Sequence, residues 1–273
     1  MKTSEILTVL APELTDHKLN SSDAIEPALE ILYRDNYLIA INKPSGLLVH
    51  RSAIDFHEPY NARDRLQAQI EQQVFPVHRL DKPTSGVQLF AKDKSSAALT
   101  SKQFKNQQIS KYYIAVVRGY VDESGLIENP VKDRDAPKKP RKDATTKYKL
   151  LAQMELPVNL DHKYQTARYS VVEAQPLSGR RHQIRQHMKH IGHPLIGDTS
   201  YGKSIHNRFF RDYFSSRRLL LHATRLELTH PHTGAPLIIN AKRIDNDFER
   251  VLGLKNWRWN IKERERLAIS IVL

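Results

Sequence analysis

The chain of 273 residues contains no cysteine, which excludes disulfide bonds, thiolate nucleophiles and zinc–thiolate sites. It also lacks a glycine-rich phosphate loop, and no apolar run approaches the roughly 18 residues that span a membrane. The N-terminal stretch MKTSEILTVLAPELTD has a short apolar patch but no small-residue cleavage site, so we do not expect a signal peptide. These absences predict a cytoplasmic protein with no membrane partner.

Positive charge is the main excess of the composition. The chain has 43 Lys and Arg against 30 Asp and Glu, a formal net charge of +13 and an isoelectric point near 9.8. Such a balance favours a polyanionic partner, with nucleic acid first, although a basic but otherwise ordinary enzyme has the same composition. With 40% hydrophobic residues the chain can bury the core of one large domain or two small ones.

Hydrophobic periodicity predicts many strands and a few interleaved helices. The expected strands are 29–33, 38–42, 47–50, 87–91, 111–119, 164–175, 219–230 and 236–241, and the expected helices are 61–73, 94–107 and 178–191. The basic segment 132–147 breaks the pattern and is expected to be a solvated loop or a crossing between lobes. The predicted fold class is α+β, with a mixed, mainly antiparallel sheet flanked by helices and loops.

The predicted domain organisation follows from where regular structure begins and ends. Residues 1–28 are polar, with no sustained period, and are expected to form an N-terminal extension. The main structured domain is predicted for residues 29–245. Residues 246–273 are expected to be a C-terminal tail that packs on this domain or extends from it.

The stretch VHRLDKPTSG places one carboxylate, Asp81, between the cations Arg79 and Lys82. Pro83 and Gly86 indicate a turn between two strands, and the adjacent cations favour an ionised carboxylate. An ionised aspartate can bind a metal, act as a general base or act as a nucleophile. No other carboxylates or histidines cluster nearby in sequence, so metal ligation is not favoured. A turn aspartate in a surface salt bridge is the alternative.

The segment SGRRHQIRQHMKHIGHP is expected to form a helix with Ser178 as its N-cap and Arg180, Arg181 and Arg185 in its first two turns. Cations there oppose the helix macrodipole, so an anion is expected beside them, either a phosphate or a carboxylate such as Asp81. The histidines of the segment do not have the spacing of a known metal motif, and no metal site is predicted.

Tyr112 and Tyr113 are neighbours on a predicted strand, so their side chains point to opposite faces of the sheet. One ring is expected to pack in the core. The other is available to stack on a nucleic-acid base, and sequence parity does not decide which.

Five segments together resemble the RluA-type pseudouridine synthase family. In chain order they are NKPSGLLVH, HRLDKPTSG, KYYIAVVRG, LSGRRHQIRQHMKHIGHPLIGD and RLLLHATRLELTHPHTG, which span roughly residues 29 to 242. The resemblance implies an α+β domain with a central active-site cleft. It also implies isomerisation of uridine to pseudouridine in RNA, which needs no cofactor because the product is an isomer of the substrate.

The resemblance also implies roles for individual residues. Asp81 corresponds to the catalytic carboxylate, Tyr113 to the aromatic residue that stacks on the target base, and Arg185 to the arginine that pairs with the carboxylate. Arg79 is expected to contact the RNA backbone or to help extrude the uridine. The further expected RNA-binding residues are His78, Lys82, Lys43, Arg180 and Arg181.

The run GLLVHRSAID resembles the branch of the family that modifies uridine 65 of tRNA. The 28 or so residues before the first strand are too few for an S4-type RNA-binding domain, which agrees with that branch. The same reaction on 23S ribosomal RNA remains an alternative, as does a non-catalytic RNA-binding or assembly factor. A glycosidase normally needs two carboxylates, and only one candidate is present. A monomer without a protein partner is expected, since no self-complementary apolar stripe stands out.

Overall fold

The computed structural model describes residues 27–51, 60–133, 136, 138, 140–160 and 164–260. Four sequence predictions therefore lie wholly or partly outside the described residues. They concern the N-terminal extension, the end of the C-terminal tail and parts of the segments GLLVHRSAID and 132–147. Among the described residues, no helix is both long and apolar enough to cross a bilayer.

One mixed sheet forms the centre of the molecule. Its strands are β1 (Glu30–Arg34), β2 (Leu38–Lys43), β3 (Phe75–Pro76), β4 (Ser85–Ala91), β5 (Ser110–Arg118), β6 (Ser124–Glu128), β7 (Thr145–Leu156), β8 (Ala167–Pro176), β9 (Leu221–Thr229), β10 (Pro236–Asn240) and β11 (Arg258–Trp259). The main order is β1-β2-β4-β9-β5-β8-β7-β11, with β10 beside β9, β3 beside β4 and β6 beside β7. The predicted mixed, mainly antiparallel α+β fold is confirmed.

Five helices flank the sheet within the described ranges: α1 (Ala62–Ile70), α2 (Lys94–Lys105), α3 (Gln183–His190), α4 (Ser204–Phe214) and α5 (Asn246–Leu252). Side-chain caps fix the start of the first two helices. The side chain of Asn61 accepts from the Asp64 N–H at α1, and that of Asp93 accepts from the Ser96 N–H at α2. Leu66 of α1 is fully buried.

The pairing of β4 with β9 is the one parallel ladder among the described strands, and it joins the two parts of the sheet. It consists of two residue pairs, Ser85 with His222 and Gly86 with Ala223. Gly86 has φ +108°, and a Cβ atom there would lie 2.2 Å from the carbonyl oxygen of Ala223. Glycine is therefore required at this junction, both for the backbone angle and for the close approach of the two strands.

The core is divided between the two parts of the sheet. On the β5–β8 part, the aromatic side chains of Phe209, Phe210 and Phe214 from α4 pack against β7 and β8. Phe248 and Trp257 from the C-terminal segment belong to the same cluster. Residues 246–260 thus contribute buried apolar surface to this core, and β11 adds a short edge strand to β7.

Two local predictions were wrong. The segment 47–50 is not a strand, because Leu48 makes only an isolated bridge with Asn61. The predicted helix 178–191 begins at Gln183, because the Ser178 hydroxyl donates to the Gln183 side chain and His182 adopts a left-handed conformation with φ 54°. The residues before Gln183 form a loop instead of the first helical turn.

Candidate active site

A cleft of roughly 500 Å³ lies where the residues before β4 meet those before α3. Asp81 lines it from a turn in which the Thr84 N–H donates to the Asp81 carbonyl at 3.0 Å. The buried side chain of Gln88 holds the preceding residues, because it accepts from the Leu80 N–H at 3.1 Å and donates to the His78 carbonyl at 2.9 Å. The carboxylate is therefore carried by a backbone that is fixed on both sides.

A second turn, formed by residues 43–47, holds the Asp81 turn in place. The fully buried Lys43 donates through its Nζ to the carbonyls of Pro44, Leu47 and Lys82 at 2.8, 2.7 and 3.2 Å. The Gly46 N–H also donates to the Lys82 carbonyl, at 2.9 Å. Burial lowers the pKa of Lys43 to about 7, and the positive charge of Arg218 acts in the same direction while Asp81 opposes it.

Arg185 is the buried cation of the cleft, with 4% of its side chain exposed against 18% for Asp81. Its Nη1 lies 3.4 Å from the Asp81 Oδ2. The stronger contacts are to Asp198, with Nε and Nη2 donating to its two carboxylate oxygens at 2.7 and 2.8 Å. Arg185 thus bridges two carboxylates, and its bidentate partner is Asp198, not Asp81.

Asp198 is itself held in place by the backbone. The N–H groups of Ser200 and Tyr201 donate to its Oδ1 at 2.8 and 2.9 Å. Burial alone would raise the pKa of Asp198, but hydrogen bonds and charge from Arg185, with these two N–H groups, outweigh it and lower the pKa. Asp198 is an ionised anchor that fixes the guanidinium plane facing Asp81.

Sequence reasoning did not single out Asp198, although a signal was present. It is the one acidic residue in the segment LSGRRHQIRQHMKHIGHPLIGD, which is otherwise rich in cations. A lone carboxylate 13 residues after a buried arginine is a candidate partner for it, because buried charges need a partner.

Tyr113 faces the cleft, which resolves the question that strand parity left open. Its half-buried ring packs against the core clusters on both parts of the sheet. Burial raises the pKa of the Tyr113 phenol, and the charge of Asp81 adds to the effect, so the phenol keeps its proton. Tyr112 points elsewhere, with the guanidinium of Arg225 3.9 Å from the centre of its ring.

His182 lies beside the carboxylate without belonging to a metal cluster. Its Nε2 is 3.7 Å from the Asp81 Oδ2, and its Nδ1 is 3.1 Å from the Tyr201 hydroxyl. Burial lowers the pKa of His182, and the nearby Arg185 and Arg181 lower it further, while Asp81 opposes them. No group of three metal-ligating side chains occurs among the described residues.

Two of the residues expected to bind RNA do not have the surroundings of a phosphate contact. Lys43 is fully buried and its ammonium is turned to backbone carbonyls, so it presents no surface to RNA. The Nε2 of His78 accepts from the Leu89 N–H at 2.9 Å, and burial lowers the pKa of His78 to about 3, with a smaller effect of Lys111. The neutral His78 ring stacks on Phe104 and supports the turn, so it offers no charge to a phosphate.

The remaining cations lie at the edge of the cleft. Arg79, Arg180 and Arg181 all line it, and Lys82 lines a neighbouring depression that also reaches Arg185. Arg180 and Arg181 precede α3, so the prediction that they occupy its first turns was wrong, whereas Arg185 does lie in the first turn. The Arg180 Nε donates to a backbone carbonyl at 3.2 Å, and Arg181 forms an ion pair at 3.4 Å with a partly exposed aspartate.

Lys111 is a further cation of the cleft that sequence reasoning did not assign. Its Nζ donates to the Ser178 carbonyl at 2.9 Å, and burial lowers its pKa to about 8. A carboxylate beside a buried guanidinium, with the ring of Tyr113 and a basic rim, suits a flipped-out nucleotide.

Residues 37–190 match the family model described as RNA pseudouridylate synthase, which is more than half of the chain. The chain belongs to this family, as the five ordered segments predicted, and is an RNA pseudouridine synthase. The alternatives of a non-catalytic RNA-binding factor and of a glycosidase are thereby set aside.

Two curated relatives are similar over almost their whole length, and both are named tRNA pseudouridine synthase C. The protein from Vibrio cholerae is 44% identical over 238 residues, covering 84% of this chain and 97% of the relative. The protein from Pasteurella multocida is 46% identical over 240 residues, covering 85% and 98%.

Solved structures show the same fold. Human RNA pseudouridylate synthase domain containing 1 superposes with a TM-score of 0.67 at 21% identity, covering 92% of this chain and 98% of the other. Human RNA pseudouridylate synthase domain containing 4 gives a TM-score of 0.62 at 25% identity, covering 84% and 94%. These similarities confirm the pseudouridine synthase fold.

Proposed function

We propose that the enzyme isomerises uridine 65 of tRNA and that Asp81 is its catalytic carboxylate. The contact of Asp81 with the buried, doubly anchored Arg185 inside the cleft supports the catalytic role. The relatives named tRNA pseudouridine synthase C, which share 44–46% of residues across the chain, support the tRNA substrate.

The reaction breaks the N1–C1′ bond, rotates the base and forms a C5–C1′ bond. C5 loses its hydrogen as a proton and N1 gains a proton, so the product is an isomer and no redox partner is needed. Asp81 supplies a carboxylate oxygen at the sugar or at the base, and Arg185 holds this oxygen in position. Extruding the nucleotide costs a few kcal/mol. Stacking on Tyr113 and phosphate contacts from Arg79 and Arg180 offset this cost.

The substrate is tested by tritium release from RNA that contains [5-³H]uridine. The proposal expects about one equivalent of tritium per molecule from an unmodified tRNA whose target arm carries uridine 65. The matched control is the same tRNA with cytidine at position 65, from which no release is expected. Release from 23S ribosomal RNA fragments and none from tRNA would contradict the proposed substrate and favour the alternative substrate.

The stacking role of Tyr113 predicts a difference between two substitutions. Tyr113→Phe keeps the ring, so the dissociation constant for tRNA should change less than about threefold, whereas Tyr113→Ala should weaken binding by about 1–3 kcal/mol. Filter binding at fixed salt measures both. Total loss of binding in Tyr113→Phe would contradict stacking, and thermal unfolding of each variant shows whether the fold is kept.

A further inference from the structure

Two further depressions continue from the active-site cleft across the surface. The first, of roughly 870 Å³, is lined by Lys82 of the Asp81 turn and by Arg185, which also lines the cleft. The second, of roughly 540 Å³, shares Gly197, Thr199 and Arg217 with the first. The three depressions are therefore linked through shared lining residues.

The two outer depressions carry exposed cations that the proposed chemistry at Asp81 does not use. We call the surface formed by these cations the distal groove: Lys203, Arg208, Arg211 and Arg217.

Acidic residues of these depressions are largely occupied by other partners. Asp198 is bound to Arg185, Asp245 pairs with Arg218, and Asp247 pairs with Arg250 at 3.4 Å. Asp212 pairs with Arg211 at 2.7 Å, so this cation of the groove is partly neutralised. Lys203, Arg208 and Arg217 carry most of the remaining positive charge.

The distal groove is a fixed surface, because close packing and hydrogen bonds hold the loop at its floor, which begins at Gly197, in place. Gly197 has φ +77°, and a Cβ atom there would lie 1.8 Å from the Arg218 carbonyl oxygen, so the loop lies directly on the chain beside Arg217. The Asn207 side chain of α4 accepts from the Gly197 N–H at 2.8 Å and donates to the Asp198 carbonyl at 3.0 Å.

Helix α4 then presents its cations toward this loop. Arg208 and Arg211 lie one and four positions after Asn207, which places all three on one helix face. The same loop carries Asp198, the anchor of Arg185. The loop thus contacts both the helix that carries the distal groove and the guanidinium of the active site.

We propose that the distal groove binds the phosphate backbone of the RNA substrate beyond the target nucleotide, on the Lys82 side of the cleft. This inference rests on the proposed tRNA substrate. A row of exposed guanidinium and ammonium groups on a rigid floor fits successive phosphates, and neutralising them releases counterions. The groove adds affinity and orientation without touching the reacting atoms.

The test compares two charge-matched double variants by filter binding of tRNA over a salt series. Arg208→Gln with Arg217→Gln should raise the dissociation constant about tenfold near 0.1 M salt and reduce the salt slope by about two. The control, Arg34→Gln with Lys94→Gln, removes the same charge at two exposed cations, one on β1 and one on α2, that line none of the three depressions. The control should stay within about twofold of wild type.

A shift in the groove variant no larger than that of the control would overturn the inference. A second variant, Lys203→Gln with Arg208→Gln, guards against a local folding defect and should show the same reduced slope. Tritium release by the wild type is measured in parallel. If no tritium were released from tRNA, only the proposed substrate would be contradicted, because the binding measurements test the groove separately.

Discussion

Replacing Asp81 by asparagine is expected to lower the rate of uridine isomerisation at least about a thousandfold while tRNA affinity changes less than about threefold. Asparagine keeps the shape of the side chain but removes the charged oxygen, so it can neither attack carbon nor accept a proton. Because Asp81 contacts Arg185 through one oxygen at 3.4 Å, the turn and the cleft should persist. Single-turnover tritium release and filter binding separate the two effects.

The cleft offers a matched control for this substitution. Asp133 also lines it, but its carboxylate is partly exposed and paired with Arg181 at 3.4 Å, away from Arg185. Asp133→Asn should change the rate less than about fivefold, since a rim salt bridge contributes at most about 1 kcal/mol. If Asp81→Asn kept more than a few per cent of activity, or if Asp133→Asn matched its loss, Asp81 would not be the catalytic group.

Breaking the buried ion pair of Arg185 and Asp198 should have the largest effect on the free energy of unfolding. Asp198→Asn leaves a guanidinium in a site where 4% of its side chain is exposed, so the free energy of unfolding should fall by about 3–5 kcal/mol. Activity should fall as well, because the guanidinium is no longer held facing Asp81. Urea unfolding and tritium release report the two losses.

A double replacement separates stability from catalysis. Arg185→Met with Asp198→Leu removes both charges and retains volume, so it should recover most of the lost stability, as such pairs often do, and no activity. The exposed pair of Arg168 and Glu155 provides a control, because Glu155→Gln should cost less than about 1 kcal/mol. Recovery of activity in the double variant would show that Arg185 is dispensable for positioning Asp81.

Residue patterns predicted the sheet and the presence of an anion beside the cation-rich segment. Strands such as 111–119 are rich in β-branched and aromatic residues, and two carboxylates, Asp198 and Asp81, lie next to Arg185, of which the sequence analysis had named only Asp81. Helix α4 could also have been predicted. Its phenylalanines at 209, 210 and 214 follow helical spacing and form part of the core.

Other features depend on tertiary contacts that a local sequence pattern does not predict. Lys43 looks like an RNA-binding cation in sequence, yet three backbone carbonyls from two different turns capture its ammonium. The helix starts at Gln183 because the Ser178 hydroxyl donates a hydrogen bond to the Gln183 side chain. The sequence analysis had expected this hydroxyl to cap the helix backbone. The type of a residue limits the chemistry of its side chain, but the residues around it in the fold determine its role.

The two-residue parallel ladder between β4 and β9 has a consequence for when activity can arise. Asp81 precedes β4 on one side of this junction, whereas Tyr113 and Arg185 belong to the other side. The contact between Asp81 and Arg185 joins residues 104 positions apart in the chain. Neither half of the protein contains a complete active site by itself, so the enzyme becomes active only when both halves have folded together.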